Sequence, residues 1–247
     1  MKKVSIVFSL GFAALFSMNA SAQDMPTGAL VSTINCKLNH GVTIAQAVDW
    51  ARSRDRSGAQ PGAEFYREAV VNGNFLQNYD FRIATYFGSF NQIVAAAQNA
   101  APPPTHLYTC NQASQSVATN RTANEDNDGF TGDTTVMHTR FCLLSDGETI
   151  EDAWDFVTAV NENFNDAGDS SLMQMYSRTV GPVQNMENVG RGVVIAAVPA
   201  TPQSWADRMD LSRNGFQALR GVSSPFDSCN YPAVWLTHAT YRSGQAQ

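Results

Sequence analysis

The chain is 247 residues long and carries 22 acidic against 16 basic side chains, a net charge of −6. That balance excludes the basic surface that nucleic-acid partners require. Hydrophobic residues make up 43% of the chain, enough to bury a core, but no apolar run beyond the N-terminal leader reaches the roughly 20 residues that span a membrane.

In chain order, Lys2 and Lys3 precede an apolar run from Val4 to Phe16, and the small residues Ala20, Ser21 and Ala22 follow. This is the order of an export signal, and its apolar core is too short to cross a bilayer. Gln23 rather than Cys follows the cleavage point, so no lipid attachment is expected. Residues 1–22 are read as a signal peptide, and a periplasmic or secreted location follows. Removing Lys2 and Lys3 leaves 14 basic against 22 acidic residues, a mature net charge of −8, with Lys37 the sole remaining lysine. The other cations are arginines, whose planar forks suit carboxylates and phosphates.

The rest of the chain reads as one unit written twice. Cys36 to Asp49 (CKLNHGVTIAQAVD) and Cys142 to Asp155 (CLLSDGETIEDAWD) agree at 7 of 14 positions without a gap. The pairs Cys110-Asn111 and Cys229-Asn230 mark the far end of each copy. The first copy opens with a strand-like run, Val31 to Leu38, followed by a turn at Gly41 and a helix start at Thr43. Gln46 three residues on completes a capping box, and Ile44, Ala47, Val48 and Ala51 share one helix face. Strand-like runs follow at Glu64 to Val71 and Asp80 to Phe87, then a weaker helix at Phe90 to Asn99, the stiff Pro102-Pro103-Pro104 and a last strand opening at Cys110.

Residues 113–135 are read as a linker, because Ser, Asn, Thr, Asp and Gly dominate and no apolar period survives. Within it Asn124, Asp126, Asp128 and Gly129 imitate the opening of a calcium loop, but Thr135 stands where the closing Glu belongs. A solvated turn is the expected reading. The second copy then runs through a strand at Val136 to Leu144, a turn at Gly147, and a helix capped by Thr149 and Asp152 with Ile150, Ala153, Trp154 and Val157 on one face. Strands at Leu172 to Val180 and Gly192 to Val198, a helix at Gln203 to Leu211 and a last strand opening at Cys229 complete it. The organisation is a signal peptide (1–22), a first ferredoxin-like repeat (23–112), a linker (113–135) and a second repeat (136–247).

The order β-α-β-β-α-β, twice, is the split βαβ or ferredoxin-like pattern of an α+β fold. Four cysteines in an exported chain allow three pairings. In this pattern the first and last strands are antiparallel neighbours, so Cys36 is expected to join Cys110, and Cys142 to join Cys229. Each bridge is worth about 3 to 5 kcal/mol on the chain-entropy account.

With this element order and duplication, the chain resembles the dimeric α+β barrel superfamily, here as a fused pair of ferredoxin-like units packed sheet to sheet. The superfamily includes cofactor-free monooxygenases, haem enzymes and small-molecule isomerases; the resemblance implies the fold and transfers no functional residue. No cofactor is expected, and no metal site.

A direct Cys142–Cys229 pairing makes facing residues of the first and last strands of the second copy sum to 371. Alternate residues share a face. Met137, Phe141 and Leu143 then join Val234, Leu236 and His238 toward the helices. His138, Arg140 and Cys142 join Tyr231, Ala233, Trp235 and Thr237 toward the barrel. His138, Arg140, Trp235, Thr237 and Tyr231 are thus the candidate contacts for a small anionic or aromatic ligand. The first copy offers Ser32, Ile34, Gln112 and Ser114 at the equivalent places. His40 and His106, brought together past the first bridge, are too few for a metal site and read as a solvated pair. No Gly-x-Ser-x-Gly, His-Glu-x-x-His, phosphate-loop or haem-attachment motif occurs. The expected function is that of an exported, disulfide-stabilised small-molecule-binding or interaction protein of unknown oligomeric state. The alternative is a periplasmic enzyme of the monooxygenase or isomerase kind, with His138 as base and Arg140 stabilising an anion.

Overall fold

The computed structural model describes residues 25–55, 60–71, 78–100, 102–124, 129–182 and 190–243. The expected leader and mature start lie outside them, as do Asp126 and Asp128 of the calcium-like loop. The nine strands are β1 (Ala29–Leu38), β2 (Ala63–Val71), β3 (Phe81–Phe87), β4 (Tyr108–Thr122), β5 (Thr134–Leu144), β6 (Leu172–Val180), β7 (Gly192–Val198), β8 (Phe226–Cys229) and β9 (Ala233–Arg242). The four helices are α1 (Ile44–Arg52), α2 (Phe90–Gln98), α3 (Ile150–Asp166) and α4 (Pro202–Arg213).

Local chemistry accounts for the helix starts. Thr43 and Thr149 each accept a hydrogen bond from the backbone N–H three residues on, while Gln46 and Asp152 accept one back from the capping residue, at 2.8 and 2.7 Å. Ser89 caps α2, and Thr201 caps α4 ahead of Pro202, whose missing N–H costs nothing in a first turn. Apolar spacing then decides how firmly each helix is held. Trp154, Val157, Val160 and Phe164 of α3 are buried, as are Ala47, Val48 and Ala51 of α1. No residue of α2 is buried.

The strands run in the order β7-β6-β4-β1-β3-β2-β9-β5, every neighbour antiparallel, and β5 also pairs with β7. The sheet therefore closes into an eight-stranded antiparallel barrel, with β8 a short extension on the free part of β5. Closure leaves no edge along the ring. Each half repeats one permutation, β4-β1-β3-β2 and β9-β5-β7-β6, and the halves join through β4 with β6 and β2 with β9. Cys36 lies directly across from Cys110 and Cys142 from Cys229, and both pairs are bonded.

Three apolar clusters fill the structure. One lies under α1 around Tyr66, Phe81 and Tyr108, and one lies under α3 around Leu144, Trp154 and Met175. The third, inside the barrel, gathers Val31, Ala84, Met137, Ala196 and Trp235.

The linker is shorter than its composition suggests. Residues 113–122 continue β4, and Thr134 and Thr135 open β5, leaving 123–133 between the strands. Ladders to β1 on one side and β6 on the other supply the backbone partners that an apolar period would have predicted. Among the described residues no helix is long and apolar enough to cross a membrane, and no three His, Cys, Asp or Glu side chains gather as a metal site.

Candidate functional site

The register of the second half decides which side chains see the barrel interior. Cys142 pairs with Cys229, but Thr139 pairs with Ala233, His138 with Val234 and Met137 with Trp235. One extra residue has entered the last strand between Asn230 and Ala233. Pro232 sits there without an N–H to give to the ladder, and the strand divides into β8 and β9 around it. A one-residue slip exchanges faces. Beyond the break Met137, not His138, shares a face with Trp235, and both belong to the barrel cluster.

The expected group of ligand contacts is therefore divided. Trp235 and Thr237 point into the barrel, where the indole Nε1 donates to Thr139 Oγ1 at 2.9 Å and the Thr237 hydroxyl has no partner among the described residues. His138 and Arg140 share the opposite face with Cys142 and Leu144, which pack in the cluster under α3. The His138 ring has a buried, unpartnered Nδ1, and its surroundings include Arg208, Arg140 and Asp169. Burial first, then Arg208 and Arg140, lower its pKa to about 4, against a smaller opposing pull from Asp169. Arg140 is exposed, and Tyr231 is 89% exposed in the break between β8 and β9. Ser32 and Ile34 also lie on the helix side, since Val31 and Cys36 face opposite clusters. His40 and His106 are exposed turn residues.

Polar chemistry enters the barrel from strands that the sequence reading left unexamined. Arg67 on β2 and Arg82 on β3 are directly opposed in the ladder, on the inward face shared with Ala84 and Tyr86. Like charges in that position repel. Neither guanidinium has a carboxylate partner among the described residues, and the acidic residues of β2, Glu64 and Glu68, lie on the outer face with Arg54 and His238. Arg67 is only 7% exposed. It donates to Tyr86 Oη at 2.7 Å, Tyr86 and Tyr176 hydroxyls lie 2.9 Å apart, and Tyr176 donates to Gln174 Oε1 at 2.5 Å.

The two ends of this chain set its direction, because a guanidinium only donates and an amide oxygen only accepts. Burial, reinforced by Tyr86 and opposed by Arg67, raises the pKa of Tyr176 and keeps its phenol protonated. Arg82 turns the other way along the barrel. Its Nε donates to Asn35 Oδ1 at 2.8 Å, and its guanidinium lies 5.1 Å from the Trp235 ring centre and 5.6 Å from that of Tyr79. Burial lowers its pKa, opposed by Tyr79 and reinforced by the like charges of Arg67 and Arg178.

At the end of the barrel where β1 begins, a cleft of about 420 Å³ opens over this network, with Pro26, Tyr86, Asn120, Thr122 and Gln174 in its walls. The arrangement offers an anionic group two inward guanidiniums, one directed to the Tyr86–Tyr176 chain and one to Asn35 and Trp235, and offers flat apolar matter the aromatic rings beside them. It does not suit a haem iron held by imidazole. Among the described residues His138 and His238 lie on the outer face of the barrel and the other two histidines are in turns.

Comparison with known proteins places the fold. An anthrone oxidase-like protein superposes with a TM-score of 0.50 at 13% identity, covering 92% of this chain and 98% of that one. A DyP-type peroxidase from Streptomyces coelicolor gives 0.48 at 11% identity over 90% and 91% of the two chains. A variant chlorite dismutase from Candidatus Nitrospira defluvii gives 0.47 at 7% identity over 87% and 93%. At these identities the likeness is one of architecture, an antiparallel α+β barrel. No family model and no curated protein matches the chain.

Arg67, Arg82, Tyr86 and Tyr176 escaped the sequence reading. The available signal was an arginine within each of two otherwise largely apolar strand runs, Arg67 at the centre of one and Arg82 near the start of the other, on faces that solvent does not reach once the barrel closes.

Proposed function

We propose that the protein binds a small, flat organic anion inside the barrel, with Arg67 and Arg82 as its charge partners and Tyr79, Tyr86 and Trp235 as its apolar and hydrogen-bonding walls. The observation that carries this reading is the cross-strand arginine pair, inward-facing and without a carboxylate among the described residues. Desolvating two like charges side by side is costly for folding alone. A ligand carboxylate turns that cost into affinity. The frame around it is a duplicated ferredoxin-like unit, supported by the repeated strand permutation and the 7 matching positions of the two cysteine segments. Export to an oxidising compartment is supported by two bonded cysteine pairs and by the leader-like N-terminus. Binding is favoured over acid–base turnover because no described histidine or carboxylate faces the barrel.

The test is calorimetric titration of the mature, oxidised protein with 2-naphthoate and its neutral isostere 2-naphthamide. Binding of the acid with at least tenfold preference over the amide, lost in Arg82→Gln, is the expected result. Equal affinities, or an acid that binds Arg82→Gln as well as the parent, would sink the proposal.

A further inference from the structure

One helix is attached to the outside of the barrel by a charge. The faces that α1 and α3 bury are largely apolar, whereas the buried residue of α4 is Arg208, 4% exposed. Its guanidinium donates to one oxygen of Asp169, whose side chain is 8% exposed. The guanidinium carbon lies 3.4 Å from the Phe164 ring centre, and Nη2 donates to the Met173 sulfur at 3.1 Å. Ser171 donates to the other Asp169 oxygen through its N–H and its hydroxyl, at 2.9 and 2.6 Å. Both oxygens of the carboxylate are thereby engaged.

The sheet puts His138 next to this pair. Met173 of β6 faces Ala197 of β7, and Ala197 faces His138 of β5, so the three form one row across the wall on which α4 packs. Only the small Ala197 separates the thioether that touches Arg208 from the imidazole, two strand spacings or about 10 Å away along the row. The charges around the ring are Arg208 from α4, Arg140 two residues on in its own strand, and Asp169 from the turn after α3. Its ladder neighbours Ala197 and Val234 carry none. The cluster thus holds two cations, one carboxylate and a ring whose Nδ1 is buried.

We propose that His138 makes the docking of α4 acid-sensitive: a proton on the ring adds a third positive charge to a covered cluster with one carboxylate, and α4 lifts from the barrel wall to admit water to it. While α4 is docked, burial and the two arginines keep the ring neutral down to about pH 4. A ring opened to water takes up its proton near the ordinary value of about 6.5. The open form therefore gains on the docked form as pH falls from about 6.5 to about 4. The helix yields before the sheet because it holds no buried apolar side chain, and elements with little buried apolar surface open first. Ligand binding inside the barrel plays no part in this device.

Hydrogen exchange followed by mass spectrometry tests it on the mature, oxidised protein at about pH 7 and about pH 5, each amide being referred to its intrinsic exchange rate at that pH. The α4 amides are expected to lose protection about tenfold or more between the two, while those of α3 and β6 keep theirs. His138→Gln, which cannot take up a proton in this range, is expected to hold α4 protection constant. A thermal melt at about pH 7 establishes that the variant folds, and His138→Leu replaces it if it does not. Unchanged protection of α4 in the parent protein overturns the proposal. An equal loss in the His138 variant assigns the acid response to another group and overturns it as well. A loss shared by α4, α3 and β6 would mean that the whole fold opens together and that α4 is no separate latch.

Discussion

The two halves of the barrel share a strand permutation and differ in what they place inside it. The inward positions of β2 and β3 hold Arg67, Arg82 and Tyr86, whereas those of β6 and β7 hold Tyr176, Val194 and Ala196. The helix layers differ in the opposite sense. In the second half α3 buries seven residues, including Trp154 and Phe164; in the first, α2 buries none and leaves Phe90 and Val94 about half exposed. The first half thus supplies most of the charge and the second most of the packed mass. A barrel of two such halves can divide labour in this way because each half buries its own sheet face under helices, while the inward faces meet only in the closed barrel.

Stability is where that contrast is sharpest. Phe164→Ala, at a ring packed in the α3 cluster beneath Arg208, is expected to cost about 3 to 5 kcal/mol, and Phe90→Ala on α2 less than about 0.5 kcal/mol, in denaturant unfolding. Comparable losses at both sites would break the contrast. The disulfides are expected to treat the halves alike, since they close loops of 74 and 87 residues. Replacing either pair by serines is expected to lower stability by about 3 to 5 kcal/mol, the two values agreeing within about 1 kcal/mol.

On the acid side a pH effect is expected from the second half. His138 has its pKa lowered to about 4 in the folded chain, so the unfolded state takes up the proton first as pH falls. Its contribution is whole above the ordinary histidine value and drains away between about pH 6.5 and pH 4, up to about 2 to 3 kcal/mol. His138→Gln is expected to flatten that part of the stability curve. An unchanged slope would place the acid sensitivity in His238, whose pKa burial also lowers, or in the carboxylates instead. The smallest effect on stability is expected at the charged site itself. Arg82→Met gives up the bond to Asn35 and relieves the repulsion with Arg67, so the melting temperature of the unliganded protein is expected to stay within about 2 °C while anion affinity falls tenfold or more. A large drop in melting temperature would recast the pair as structural.

Much of the frame was legible in the amino-acid order. Thr43 with Gln46 and Thr149 with Asp152 announce helices through chemistry that acts over three residues, and the structure has both capping boxes. The two cysteine pairs followed from the strand order, and the cysteines are bonded in those pairs. The site was not legible in the same way. His138 and Arg140 were placed inside because the Met137, Phe141 and Leu143 face looked the more apolar and was given to the helices; Met137 faces the barrel and Cys142 the helix cluster, and Pro232, by adding one residue to the opposite strand, parts Trp235 and Thr237 from them. A similar irregularity shifts the ladder between Thr33 and Asn35 of β1 against β4.

The sequence by itself determined the local and the repeated: helix starts, strand runs, cysteine spacing and an order of elements that allows few folds. Those signals act between residues close along the chain or are copied in its second half. Only the tertiary structure decided which face of each strand became the interior, because that depends on register, and register is settled by bulges and by contacts between distant segments. It also decided that Arg67 and Arg82 stand side by side. They are brought opposite each other by the β2–β3 ladder, and turned away from solvent only when β5 meets β7 and β9 to close the ring.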